Sequence, residues 1–446
     1  MPANFELWRS QSRPIMRLGG PLIINYLAVA GMGLADTLMS GRLGASSLAA
    51  VAVGNSVWML NFTACLGVLM AISPIIARLY GAGEHHKIGR YTRHGMYLGI
   101  ALGVIVLLVG RTVMHSLLEI MSIDTGFRDL TVDYTRAVLL GAPGIFIFLA
   151  LRFTTEGVGY TRPIMFTSVF SLICNVVLNY ILMFGRFGVP AMGAEGCGYA
   201  SAITMWIVAI ALGAYMTLSP RLRELQIFTR LGQFRPDLFR EIIVLGVPIA
   251  ITITAEAGLF SAISILVGTR GVEITAAHQI ALSYSSAMFM IPLALSSATT
   301  VHVGHMLGAG KPVLARAAGF AGISMCAGFM AVSAAVLLVF RDVIVTLYTD
   351  DPVVTGIALS LMLVAAIFQI ADGVQIGAAA ALRAYKDTTF PMAINIFAYW
   401  VVAFPLGYLA AITYRLPANQ IWVAFIAGLG IAAILLTWRF NRQSRV

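Results

Sequence analysis

Long apolar runs separated by short polar clusters dominate this chain, and they leave it few ways to fold. About 20 apolar residues, rising 1.5 Å each, carry a helix across the hydrocarbon core of a bilayer. Twelve runs of that order can be marked, at 14–40, 47–77, 94–117, 131–155, 163–184, 194–218, 240–268, 274–302, 313–340, 353–382, 389–413 and 419–438. Only 11% of the residues are charged, against about 25% in soluble domains. In lipid the backbone must satisfy its own hydrogen bonds, so runs of this length are read as helices. No polar stretch exceeds about 25 residues, which is below the size of a soluble domain. The expected fold is an all-α polytopic membrane protein with twelve transmembrane helices.

An even number of spans puts both termini on one side, and the basic residues choose which. With the termini cytoplasmic, 21 of the 29 Lys and Arg fall in inside segments, as the positive-inside rule requires. The net charge of +10 then follows from topology, and no nucleic-acid partner is expected. Cys65, Cys174, Cys197 and Cys326 are scattered through apolar runs without Cys-x-x-Cys spacing; they read as small core residues. No cleavable signal peptide is expected, because the first apolar run has full helix length.

The chain repeats itself. A shift of 227 lays residues 18–83 on 245–310 without a gap. Leu18, Gly19 and Pro21 fall on Leu245, Gly246 and Pro248; Gly31, Gly41 and Gly44 fall on Gly258, Gly268 and Gly271; Gly81-Ala82-Gly83 falls on Gly308-Ala309-Gly310. The second copy starts after six spans, so both copies enter from the same side. That describes parallel repeats, two six-helix bundles related by a pseudo-two-fold axis along the membrane normal. The expected division is an N-terminal lobe at 1–218, a basic cytoplasmic linker at 219–239 and a C-terminal lobe at 240–446. Two such bundles facing each other would leave a cleft and allow alternating access.

Departures from the repeat are the candidates for function. Glu256 is the only ionisable side chain between Glu241 and Arg270. An acid near the middle of a span costs about 2.5–3.5 kcal/mol on insertion scales, so it normally faces a bundle interior or a wet cavity. Glu256 falls on Val29, whereas Asp36 falls on Ile263. In the repeat frame the two acids lie seven residues apart, nearly two turns and on one face. A third acid, Asp372, sits in the tenth span with Gln369 and Gln375 three residues to either side, giving one polar stripe. In the fifth span Asn175 and Asn179 share a face; asparagines there either line a cavity or join helices by hydrogen bonds. Arg152 and Glu156, at i,i+4 spacing, are expected to be a structural pair. His278 is expected to be a satisfied polar group. Pro21, Pro74, Pro143, Pro248, Pro292 and Pro405 lie in or near spans and are expected to kink some of them. No Walker loop, His-Glu-x-x-His, dinucleotide fingerprint or nucleophile elbow is present, so no enzyme chemistry is expected.

The motifs Gly33-Leu34-Ala35-Asp36-Thr37, Leu178-Asn179-Tyr180, Gly196-Cys197-Gly198-Tyr199-Ala200, Ala276-Ala277-His278-Gln279-Ile280 and Trp400 with Pro405-Leu406-Gly407, together with the two-half layout, resemble the multidrug and toxic compound extrusion (MATE) family, nearest its NorM-like branch. The resemblance covers nearly the whole chain. It implies a secondary active transporter, monomeric and set in the bacterial inner membrane, that exports organic cations such as dyes and fluoroquinolone-like drugs in exchange for Na+ or H+. No cofactor is implied beyond the coupling ion. Glu256 and Asp372 match residues associated with cation coupling, as Na+ ligands if sodium is the driver, and Asp36 matches a polar site shared with Asn175 and Asn179. Gln369, Gln375 and Phe368 are the further cavity candidates. Phe368 stands where some relatives carry Tyr one turn before the tenth-span acid, so a hydroxyl is missing there, and only a ring face remains for a cation. A lipid-linked precursor flippase is the nearest rival, but its anionic cargo would call for basic residues in the spans, and the intramembrane charges here are acidic.

Overall fold

The computed structural model describes residues 2–120, 124–228 and 234–445, with only the backbone described for 2–5 and 117. Arg230, one of the basic residues assigned to the inside, lies outside the described residues. Sixteen α-helices follow one another: α1 Pro2–Arg42, α2 Ala45–Leu69, α3 Ile72–Gly81, α4 His85–Ile120, α5 Thr125–Leu139, α6 Ala142–Gly157, α7 Arg162–Phe184, α8 Gly193–Leu218, α9 Pro220–Arg223, α10 Pro236–Gly268, α11 Val272–Gly308, α12 Pro312–Thr346, α13 Pro352–Ala384, α14 Thr389–Ile396, α15 Phe404–Tyr408 and α16 Ala418–Gln443. A π-helical stretch at Phe397–Ala403 joins α14 to α15, and a second at Leu409–Thr413 continues α15, so that 389–413 forms one rod. Eleven helices among the described residues are long and apolar enough to cross a membrane, and the bent pair α5–α6 makes a twelfth. The protein is a multi-pass membrane protein.

Two of the prolines mark places where rods break, whereas Pro21, Pro248 and Pro292 lie inside continuous helices. Pro74 lacks the N–H that would bond the carbonyl of Met70, and its ring crowds that carbonyl; α2 accordingly stops at Leu69 and α3 starts at Ile72. Pro143 stands four residues after Leu139 in the same way, and α5 meets α6 at 44°. In the second half Val301 replaces Pro74, and α11 runs unbroken through that position.

The repeat is visible in the backbone as well as in the sequence. Gly44 and Gly271 adopt φ 115° and 117°, and Gly83 and Gly310 adopt φ 73° and 70°. The members of each pair are repeat counterparts, and a side chain at any of the four would be strained.

Two compact units result, but they are not the contiguous halves expected from the linker. One comprises Met1–Ile23 with Ile251–Val446, and the other Ile24–Ala250. The repeat shift carries the first cut onto the second, so each half's first helix is divided at the equivalent point.

In the unit 24–250, the start of α10 packs on α2 through paired glycines: a Cβ at Gly67 would come within 2.3 Å of Ala250 Cα, and one at Gly246 within 2.2 Å of Val68 O. Tyr91 donates a hydrogen bond to Glu241 in the same region. The described part of the linker is docked. Leu222, Leu225 and Ile227 are buried, and Arg93 Nη1 donates to the carbonyls of Gln226 and Ile227 at 2.8 and 2.9 Å. In the unit formed by 1–23 and 251–446, Gln11 bonds His302 at 2.9 Å and Trp8 Nε1 donates to Ser324 at 2.8 Å. Its core holds Leu259, Ile263, Tyr399, Trp422, Phe425 and Phe440. Small residues let α13 approach α12: a Cβ on Gly373 or Gly377 would lie 2.8–2.9 Å from Cys326 O or Ile323 Cα. Such contacts are how helices associate where lipid supplies no hydrophobic drive.

Candidate functional site

Each unit carries its own acid cluster. In the unit 24–250, Asp36 on α1 accepts a hydrogen bond from Asn179 Nδ2 at 2.6 Å. Asn179 also donates to Asn175 Oδ1 at 3.2 Å, and Asn175 donates to Ser201 Oγ at 3.5 Å. The i,i+4 spacing on α7 places both amides on one face, and both are fully buried. Asn175, Cys197 and Ser201 also act on the Asp36 carboxyl group. The asparagines therefore do join helices by hydrogen bonding, and the helix they join is the one that bears the acid. Cys197 and Ser201, spaced four apart on α8, are additions that the sequence does not announce; Cys197 reads there as a small core residue.

The second cluster lies in the unit formed by 1–23 and 251–446. Glu256 on α10 is half-buried, and Asp372 on α13 is buried. The Glu256 charge acts on Asp372, so the two acids, from separate helices, lie within electrostatic reach of each other. Gln369 accepts from Ser333 Oγ at 2.7 Å, and Tyr284 reaches Ser333 at 3.4–3.5 Å. Among the described residues, Gln369 Nε2, Asp372 Oδ1 and Gln375 Oε1 are buried without a protein hydrogen-bond partner. Burying such groups unpaired costs free energy, so their presence marks a place built to meet a ligand or water. Phe368 lies elsewhere in character. It packs among Phe260, Trp422 and Phe425, with ring centroids 5.8–6.0 Å away.

Arg383 reads from sequence as an inside charge, and the structure gives it more to do. It stands eleven residues after Asp372 on α13, close to three full turns at about 3.6 residues each and hence on the same face. Its charge acts on Glu256. No three His, Cys, Asp or Glu converge as a metal-ligand set among the described residues.

Two polar features are structural, as expected. Trp422 Nε1 donates to His278 Nδ1 at 2.9 Å, and His278 Nε2 lies 2.9 Å from Ser264 Oγ. An indole N–H can only donate, so Nδ1 accepts and Nε2 carries the proton. Arg152 and Glu156, both buried, approach to 4.0 Å. The Arg152 guanidinium also lies 5.0 Å from the Tyr26 ring centre, and the Asn25 amide, oriented to satisfy both neighbours, accepts from Arg152 Nη2 at 3.1 Å and donates to Ser168 at 2.6 Å.

Comparison with known proteins bears on this arrangement. The MatE family profile matches residues 21–181 and 248–409, and these two segments sit one on each repeat. Multidrug resistance protein PmpM of Pseudomonas aeruginosa is 35% identical over 441 residues, which cover 98% of this chain and 92% of that protein. The crystal structure of the eukaryotic MATE transporter AtDTX14 superposes with a TM-score of 0.87 at 20% identity, covering 98% of each chain. A multidrug resistance MATE family transporter of the MOP superfamily, solved in an outward-facing conformation, superposes with a TM-score of 0.89 at 20% identity, covering 99% of this chain and 98% of that one. At that identity the superpositions speak to the fold. With the family profile on both halves and a curated relative matching along nearly its whole length, this chain belongs to the MatE family.

Proposed function

We propose that this protein is a secondary active multidrug exporter of cationic or amphipathic organic compounds, driven by antiport of Na+ or H+ through alternating access. The observation that carries the reading is the Glu256–Asp372 pair, two acids on different membrane-spanning helices of a MatE chain within electrostatic reach of each other. Two carboxylates in a medium of low dielectric require a compensating positive charge. A proton, a sodium ion or an organic cation can each supply it. Ligands that compete for that compensation, and that favour different conformations, couple their fluxes. Asp36, held by its amides, supplies a second acidic site for the same cycle. The relative named for multidrug resistance supports the substrate class. The basic residues favour a bacterial cytoplasmic membrane orientation with both termini inside.

The test is ethidium efflux from proteoliposomes under an imposed sodium gradient and, separately, an imposed proton gradient. At least one gradient is expected to drive efflux, and Glu256→Gln or Asp372→Asn to abolish it. Undiminished gradient-driven efflux by both neutral variants would sink the assignment.

A further inference from the structure

The fifth membrane-crossing rod of each half carries a buried polar pair, and only the first pair has been given a role. In α7 the pair is Asn175 and Asn179. In the rod that begins with α14 it is Asn395 and Tyr399, four residues apart and both fully buried. Pro163 and Pro391, each near the start of its rod, align the two rods at the offset that also relates the ends of the matched segments, Ile181 and Leu409. On that offset Asn175 and Asn179 fall on Ala403 and Gly407, and Asn395 and Tyr399 each stand eight residues earlier. Glu256 stands seven residues before Ile263, the counterpart of Asp36. The acid on the first rod and the pair on the fifth have thus moved together by about two turns.

The geometry agrees. Trp400 Nε1 donates to the carbonyl of Ala255 at 3.1 Å, which fastens the π-helical turn one residue from Glu256. The ring of Trp400 also fills the space beside Gly258, where a Cβ would meet it at 3.0 Å. Both Glu256 and Asp372 act electrostatically on Tyr399. Among the described residues the Tyr399 hydroxyl and both amide atoms of Asn395 are buried without a hydrogen-bond partner. Isolated π-helical turns recur at functional sites.

We propose that Asn395 and Tyr399 are the second half's counterpart of the Asn175–Asn179 pair, and that their neutral oxygens set which monovalent cation the Glu256–Asp372 pair holds. This deepens the antiport reading and rests on it. The phenol oxygen and the Asn395 Oδ1 complete an oxygen shell for Na+. The phenol O–H, unpartnered in the structure, would oppose protonation of an ionised carboxylate by donating to it.

The experiment is cation titration of the purified full-length transporter in detergent, followed by intrinsic tryptophan fluorescence, with NaCl against choline chloride and then with acid. Loss of one hydrogen bond to a charged group corresponds to about a tenfold change or more. Tyr399→Phe and Asn395→Leu are expected to lower the ratio of Na+ to H+ affinity by about that factor. If the wild type answers to protons alone, the same fold-change is expected in its half-saturating proton concentration. Tyr408→Phe, an exposed tyrosine further along the rod, is expected to change neither. The readout is a ratio or a midpoint, so partial loss of folded protein does not move it. Values within twofold of wild type in both variants would overturn the proposal and leave the antiport reading standing. A wild type that responds to neither cation would overturn both.

Discussion

Asp36 and the Glu256–Asp372 pair occupy related places in two copies of one scaffold, yet they are supported differently. Asp36 sits at the head of a hydrogen-bonded chain, Asn179 to Asn175 to Ser201, in which Asn179 Oδ1 is left buried without a partner among the described residues. In the unit that holds Asp372, polar atoms of Gln369, Gln375, Asn395 and Tyr399 are buried without a hydrogen-bond partner among the described residues. A wired acid has its geometry fixed before any ligand arrives, which suits selective recognition. An acid pair among unspent donors and acceptors gains most when a cation arrives, which suits coupling. The difference teaches that the repeat preserved helix packing while each half built its acidic site separately.

The largest effect that would test this contrast is at the pair. Glu256→Gln and Asp372→Asn are each expected to abolish gradient-driven efflux with membrane expression unchanged, checked by ethidium transport against an immunoblot. Next come two arginines that share the local sequence Ala-Leu-Arg, Arg152 and Arg383. Arg152→Met takes away the positive charge facing buried Glu156 and is expected to cost about 3–5 kcal/mol of stability, seen as a lower thermal midpoint. Arg383→Met is expected to shift the cation dependence of efflux more than the thermal midpoint, because its charge acts on Glu256. If Arg383→Met behaves like Arg152→Met, the distinction between a structural and a tuning arginine collapses. A smaller effect is expected from Asn179→Leu, which removes a donor that favours the ionised Asp36 carboxylate and should tighten proton binding there by about tenfold. Smallest is the coupling between sites on one network. Asp36→Asn and Asn179→Leu should combine non-additively, by about 0.5–3 kcal/mol in a double-mutant cycle, whereas His278→Ala with Asn179→Leu should add within about 0.5 kcal/mol.

Much of the fold was legible because the bilayer simplifies the code. Apolar run lengths mark the spans, and glycines at a fixed offset mark the repeat, which Gly44 with Gly271 and Gly83 with Gly310 then display as matched backbone angles. The acids were legible because their cost in lipid makes them conspicuous. Other parts were hidden for identifiable reasons. The cuts at 23/24 and 250/251 fall inside continuous helices, where no loop or composition change announces them. Ser201, Ser333 and Cys197 are small enough to pass as packing residues in any span. Tyr399 stands beside Trp400 in an apolar stretch, and the π-helical turn that positions it changes the local periodicity on which face assignments depend. The glycine pair Gly67 and Gly246 is visible in sequence, but its approach to Ala250 and Val68 belongs to tertiary structure alone.

The division of the two first helices also bears on biosynthesis. The unit 24–250 has every residue it needs once Ala250 has been made. The other unit draws Met1–Ile23 from before that stretch and everything else from Ile251 onward. Gln11 must wait for His302 and Trp8 for Ser324, separations of 291 and 316 residues. At roughly 5–20 residues per second, the leading segment is held for about 15–60 s before its partners are inserted. Over that interval its buried face, Gln11, Ser12, Ile15 and Gly19, is offered to lipid, to the insertion machinery or to a chaperone, and the quality of that temporary shelter sets a limit on how fast this protein can be made.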